Sequence, residues 1–385
     1  MDNQELLLRN NNVAVKNGRI DNSYGKYFYV ININEKELNG VSIHKIIKYV
    51  NYYIQRYANT KIPVLLSFSK EIEIKDKLTY IILECICYHL IKNLGVEVHI
   101  LWKPKTDIIT IGVNSSPLLL LNSLSAENVK KFANKFENDG YGSHFRRVVK
   151  KSHKNLCKAF QDVDFFFKLF NSCDMVKDEI IEAIAELVGN AFEHGCSDCL
   201  VDIDVADGYR RSDAEDGTEV YSVNIVVLNF SKNLIGDELK DRINNGKMNG
   251  ERNRKLIDIY KYHNENFFDE KYTSEDFFNL AVFQDRISGL DKGESGGVGL
   301  TCLIKSLQQR SCENHCYMLS GKRVVLFRKD YLTYNADNWI GFNNVHDFHR
   351  AKPDLCVLSE CDTFFPGTAY NLDFILMKGD RIDGQ

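Results

Sequence analysis

The sequence predicts an α/β protein in two parts, a small α/β unit over residues 1–125 and a larger α/β domain over 126–385. Three observations carry this expectation. Runs with strand and helix character alternate through the first part; a strongly amphipathic helix pattern over 178–195 leads into a long β-branched stretch; and a glycine cluster at 296–299 stands directly before another helix pattern.

In chain order, KYFYVINI (27–34) reads as a strand, SIHKIIKYVNYYIQRY (42–57) as a helix and IPVLLSFS (62–69) as a second strand. TYIILECICYHLIKNL (79–94) returns to helical spacing, and VEVHILW (96–102) and DIITIGV (107–113) to strand character. The serine-rich NSSPLLLLNSLS (114–125) offers the domain boundary. SAENVKKFANKF then opens a charged, helical lead-in expected over 126–174, in which the basic run FRRVVKKSHK (145–154) reads as a solvated helix face or a phosphate or partner contact. Beyond the strand YSVNIVVLNF (221–230), residues 236–295 are polar enough to suggest a mobile lid or an inserted helical segment. Ser320-Gly321-Lys322-Arg323 before VVLF reads as a hairpin whose basic pair either reaches phosphate or caps a solvated turn, and AYNLDFILM (369–377) as the last strand.

Composition narrows the function classes. Of 385 residues, 44% are hydrophobic and 26% charged, the balance of a globular chain. A formal net charge of −4, from 49 basic and 53 acidic residues, gives no indication of nucleic-acid binding. No apolar run reaches the ~18 residues of a membrane helix and no signal-peptide pattern opens the chain, so a cytoplasmic protein without a membrane partner is expected. The eleven cysteines are then expected to be reduced. Cys196 and Cys199 form the one CxxC pair, and His346, His349, Cys356 and Cys361 follow no common zinc spacing, so structural roles are expected for both sets.

The chemistry concentrates on two motifs. Within 178–195, Ile180, Ile184, Leu187, Val188 and Ala191 make one apolar stripe, while Glu182, Glu186, Asn190 and Glu193 share another. Glu186 and Asn190 therefore project together one turn apart. An amide oxygen is a hard ligand for Mg²⁺, and a carboxylate beside it can orient or deprotonate a water; the plainer alternative is the solvated side of an amphipathic helix. His194, one turn further, either lines the same pocket or caps the helix end. In the second motif, Gly296-Gly297-Val298-Gly299-Leu300 precedes a helix pattern, placing backbone N–H groups where a helix N-terminus binds phosphate.

Together and in this order, Glu186-Leu-Val-Gly-Asn190 resembles the N-box of the GHKL superfamily of Bergerat-fold ATPases, and Gly296-Gly297-Val298-Gly299-Leu300 resembles its second glycine box. The resemblance spans roughly residues 175–375. It implies a sandwich in which helices cover one face of a mixed sheet, with ATP between helices and lid, Mg²⁺ on Asn190 and Glu186 as general base. The family's first glycine box, DxGxG, corresponds to Leu228-Asn229-Phe230-Ser231-Lys232-Asn233, with Asn229 in place of the adenine-binding Asp and no glycines. The family's Gly-Thr before the last strand corresponds to Gly367-Thr368, which assigns Thr368 to the adenine site beside Asn229.

The expected function is an ATPase acting as a conformational switch on another protein or a second copy of itself. The alternatives are a serine/threonine kinase resembling anti-sigma factors and a nucleotide-binding module without turnover. His144 and His153 lack the helix-hairpin context of a sensor kinase's phosphoacceptor.

Overall fold

The computed structural model describes residues 1–22, 25–105, 113–152, 156–170, 174–210, 219–287, 299–310 and 316–378. The chain is α/β, with helices packed on two sheets. Its first part contains α1 (Glu5–Asn10), β1 (Gly18–Asp21), β2 (Phe28–Ile33), β3 (Glu37–Leu38), α2 (Gly40–Tyr57), β4 (Val64–Ile74), α3 (Lys77–Tyr88), β5 (Val98–Lys105), α4 (Leu118–Leu121) and α5 (Ala126–Glu137). Strands β2, β4 and β5 are parallel neighbours, β1 runs antiparallel on the β2 edge and β3 pairs the far end of β4. Helix α2 starts at a capping box between Asn39 and Ser42 and buries Ile43, Ile46, Ile47, Val50 and Tyr53, the spacing that the 42–57 pattern requires.

The second part contains β6 (Asn138–Tyr141), β7 (His144–Val149), α6 (Leu156–Phe167), α7 (Asp174–Glu193), β8 (Cys199–Arg210), β9 (Glu219–Phe230), α8 (Asp237–Asn244), α9 (Glu251–Asn266), α10 (Ser274–Ala281), α11 (Gly299–Arg310), β10 (Tyr317–Leu326) and β11 (Leu358–Met377). Its sheet runs β10-β11-β9-β8-β7-β6, and each pairing is antiparallel. A mixed sheet was the expectation here; the parallel pairs belong instead to the first sheet, where α2 and α3 supply the crossovers that parallel strands need.

Alternation along the strands separates two cores. Cys199, Val201, Ile203 and Val205 of β8, with Val223, Ile225 and Val227 of β9, face α6, α7 and α11. Leu200, Val226 and Leu228 face the first part, where α2 and α3 lie between the two sheets and α5 packs beside them through Val129, Phe132 and Phe136. The 114–125 stretch read as a linker is itself anchored in this layer by the buried Leu118 and Leu121 of α4.

Three expectations change. The lead-in is not continuously helical: the β6–β7 hairpin occupies 138–149. The basic residues hid the strand, because Arg146 is fully buried in ion pairs rather than solvated, so HFRRVV is buried on both faces in a way its charges conceal. The 236–295 segment is helical over its described part, but packed rather than lid-like: Leu239, Leu256, Ile259, Tyr272, Phe277, Phe278 and Leu280 join the core. Polar residues dominate its composition, while a few aromatics carry its burial. Finally, Ser320–Arg323 is a bulge within the single strand β10, not a hairpin, with Gly321 at φ +60° breaking the register. Among the described residues no helix is long and apolar enough to cross a membrane.

Candidate functional site

Helix α7 lies on the helix-covered face of the second sheet, with Ile180, Ile184, Leu187, Val188 and Ala191 buried as the stripe requires. The second stripe turns toward α11. Cys302 Sγ donates to Glu182 at 3.4 Å, and burial, reinforced by Glu182 and Glu186, pushes its thiol up to about 11. Glu186 and Asn190 are both half-buried rather than fully solvated, and Glu186 lies near enough to Cys302 of α11 to act on its thiol. Gly299 opens α11 and Leu300 packs against the core beneath it, whereas Gly296, Gly297 and Val298 lie outside the described residues.

The C-terminal end of α7 meets the ends of β9 and β11. Asn229 and Thr368 are direct partners in the antiparallel register of those strands, so both side chains stand on the α7 face. Gly367 enables the pairing. It adopts φ +101°, and a Cβ there would run into the carbonyl of Asn229. Asn229 is buried, and its Nδ2 donates to Ser197 Oγ at 3.0 Å. Gly195 leaves room for that amide, since a Cβ at 195 would collide with it.

The stretch lacking the expected glycines turns by side-chain hydrogen bonds instead. Asn233 N donates to Ser231 Oγ at 3.0 Å, Asn233 Nδ2 to His194 O at 3.3 Å, and Leu234 N to Asp237 at 2.7 Å. His194 Nδ1 pairs with Glu238 of α8, so the histidine ties the end of α7 to the next segment instead of satisfying its own helix. Ile235 N donates to Ser320 Oγ, which itself donates to Gly367 O at 2.7 Å.

Arg323 does not reach toward phosphate. It forms a bidentate pair with Asp276 of α10, both contacts at 2.6 Å. Cys196 and Cys199 are both free, the first exposed and the second buried. His153 lies outside the described residues. Among those described, the one group of metal-type ligands drawn together is His144, Asp202 and Asp204, and it excludes His346, His349, Cys356 and Cys361.

That group lies on the opposite face of the sheet, against the first part, and sequence reasoning missed it. Lys77 of α3 stands 2.7 Å from Asp202 and 2.6 Å from Asp204; Arg146 reaches Glu84 at 2.6 Å and also pairs with Asp202. The cation of the cluster is thus already present as the Lys77 ammonium. Burial opposes ionisation of Asp202, yet Arg146 and Lys77 hold its carboxyl well below the usual range, while burial pushes Glu84 up to about 7. The available signal was the polar alternation of Asp202 with Asp204 and of His144 with Arg146 inside otherwise apolar strands.

Comparison with known protein families, curated proteins and solved structures finds no match.

Proposed function

We propose that this chain is a Mg²⁺-dependent, cytoplasmic ATP-binding protein of the GHKL type that hydrolyses ATP and acts as a conformational switch. The observation that carries the reading is the pairing of Asn229 with Thr368. Two residues assigned to base recognition from separate motifs stand opposite each other, where the helix bearing Glu186 and Asn190 ends.

The donor set suits the ligand in kind. Asn190 offers an amide oxygen to a hard cation, and Glu186 a carboxylate to orient a water or accept its proton. Asn229 and Thr368 offer an acceptor and a hydroxyl to a base, and the start of α11 at Gly299 offers backbone N–H groups to phosphate. Bound Mg²⁺ would supply neutralisation of phosphate charge. The packed segment 236–287 is tied to the site's rim through His194–Glu238, and Ile235 just before it bonds Ser320, a route by which occupancy can bias contacts with another protein or a second copy.

The test is γ-phosphate release by the wild type and by Glu186→Ala, with ATP binding measured separately. Release by the wild type, lost in the variant while binding persists, is expected; Asn190→Ala or removal of Mg²⁺ should weaken binding. Tight binding without release would leave a non-hydrolysing module, labelled protein in a lysate a kinase, and no ATP binding by the wild type would overturn the reading.

A further inference from the structure

On the nucleotide-site reading above, we infer that α1 is a releasable strap that couples the nucleotide site to the first part of the chain, with ATP favouring its docked state. It reaches the site from behind. Leu7 and Leu8 pack with Leu228, Phe230, Phe365 and Ala369 on the face of the second sheet turned away from α7, so α1 does not reach a nucleotide on the α7 face. An effect of one on the other has to pass through the strands.

Residues flanking and within α1 tie it to chain immediately beside the candidate residues. Asn11 Oδ1 accepts from Phe364 N at 2.9 Å, and its Nδ2 donates to Phe364 O at 2.8 Å and to Leu7 O at 2.7 Å. Backbone N–H and C=O groups have fixed roles, so this amide has one orientation. Phe364 stands just before β11 joins β9 at Gly367 and Thr368. Asn3 Nδ2 donates at 3.3 Å to the carbonyl of Phe230, the neighbour of Asn229 and the strand partner of Gly367. Asp2 N donates to Asp198 Oδ2 at 3.2 Å and Asp198 N to Asp2 Oδ1 at 2.9 Å, beside Ser197. On its other side α1 is held by Asn51 of α2, whose Nδ2 donates to Leu8 O at 3.2 Å and to Asn11 O at 2.6 Å. The segment thus holds the strand ends that put Asn229 opposite Thr368 and links them to α2.

Docking carries two costs that make release possible. α1 has 6 residues and no side-chain cap at its start, well short of the ~12 that an isolated helix needs in water, so it is helical only while docked. Gln4 is 2% exposed, and neither end of its amide makes a hydrogen bond of normal length; beside it stands the thiol of Cys85, a weak partner. Release returns that amide to water. Docked and released are therefore two discrete states of one short segment, the kind of element that a ligand biases by binding one state more tightly.

The test is amide hydrogen exchange on the full chain with and without saturating ATP and Mg²⁺, alongside equilibrium ATP binding by wild type and Asn11→Ala. Without nucleotide, the amides of α1 should exchange faster than those of the core strand β4, the mark of local release. ATP should slow α1 about fivefold or more, and Asn11→Ala should weaken ATP binding by about the same factor, because coupling between two equilibria is reciprocal. If Asn11→Ala does not fold, the wild-type exchange experiment decides alone. Exchange at α1 as slow as in β4, or unchanged or faster with ATP bound, would overturn the strap while leaving the nucleotide site intact. Absence of ATP binding by the wild type would overturn both.

Discussion

The ammonium of Lys77, the first residue of α3, stands 2.6 Å from the carboxylate of Asp204 in the middle of the other sheet. It also donates to the carbonyl of Asn224 at 3.0 Å, while Asn371 of β11 accepts from Leu78 N at 3.1 Å. The two parts of the chain are thus joined by charge and hydrogen bonds at the centre of an otherwise apolar layer. Removing one member of such a buried pair leaves uncompensated charge. Lys77→Met should therefore cost about 3–5 kcal/mol, read by urea unfolding. A loss below about 1 kcal/mol would mean that water reaches Asp202 and Asp204 in the folded protein.

Two buried histidines should give stability opposite pH dependences. Burial opposes charging His144, but Asp202 and Asp204 outweigh it and raise its pKa above the usual value of 6.5. A raised histidine contributes stability that is complete below pH 6.5 and lost as pH climbs through the folded-state value. His263 has the reverse sign. Burial lowers it to about 4, and it bonds Tyr272 through Nδ1 at 2.8 Å and Phe348 O through Nε2 at 3.0 Å. Its contribution is present above pH 6.5 and lost as pH falls toward 4, on the order of 3 kcal/mol in all. Unfolding free energy measured from pH 4 to 9 should fall less steeply above pH 6.5 in His144→Gln, while the decline up to about pH 7 that the raised carboxyl of Glu84 contributes remains. In His263→Gln the acid decline should flatten; a profile identical to wild type in either variant contradicts the assignment.

Legibility from sequence followed the physics of each signal. The α7 stripe was readable because periodic burial of aliphatic residues leaves a periodic pattern, and all five predicted core positions are buried. Strand β7 was not, since Arg146 belongs to the core only through partners far away in sequence, Glu84 and Asp202. The packing of 236–287 was hidden for a related reason, as a few aromatics such as Phe277 and Tyr272 bury the segment while its surface sets the composition. At the candidate site, motif position singled out Asn229 and Thr368, which the strand register pairs, but Ser197 and Gly195, which pack against the Asn229 amide, carry no motif and emerge only from the packing.

Arg323 and Asp276 should show strong, asymmetric coupling. Asp276 also closes the capping box of α10, accepting from Thr273 N at 2.8 Å, so Asp276→Ala loses a helix cap as well as the ion pair, whereas Arg323→Met loses the pair and a longer contact with the exposed Glu360 at 3.7 Å. A double-mutant cycle by denaturant unfolding should give a coupling energy of about 2–3 kcal/mol, with Asp276→Ala the more damaging single change by about 1 kcal/mol. Additive losses would mean that the pair contributes nothing between the 236–287 segment and β10.

Two glycines near the site should respond in opposite directions to the same substitution. Gly367 sits at φ +101°, and its absent Cβ is what lets β11 close on the Asn229 carbonyl. Gly367→Ala therefore meets both a strained backbone and a backbone clash, and should cost about 2–3 kcal/mol. Gly189 lies inside α7, between Glu186 and Asn190, and a Cβ there meets nothing within 4 Å. With no clash and a better helix former, Gly189→Ala should raise stability by about 0.5–1 kcal/mol. Because the second change adds only a methyl group in open space, it separates stability from ligand access: thermal unfolding should improve in the absence of nucleotide, and a fall in ATP affinity at the same time would place the bound nucleotide against that turn of α7. Destabilisation by Gly189→Ala would instead mean that α7 packs more closely at 189 than its surroundings in this structure indicate.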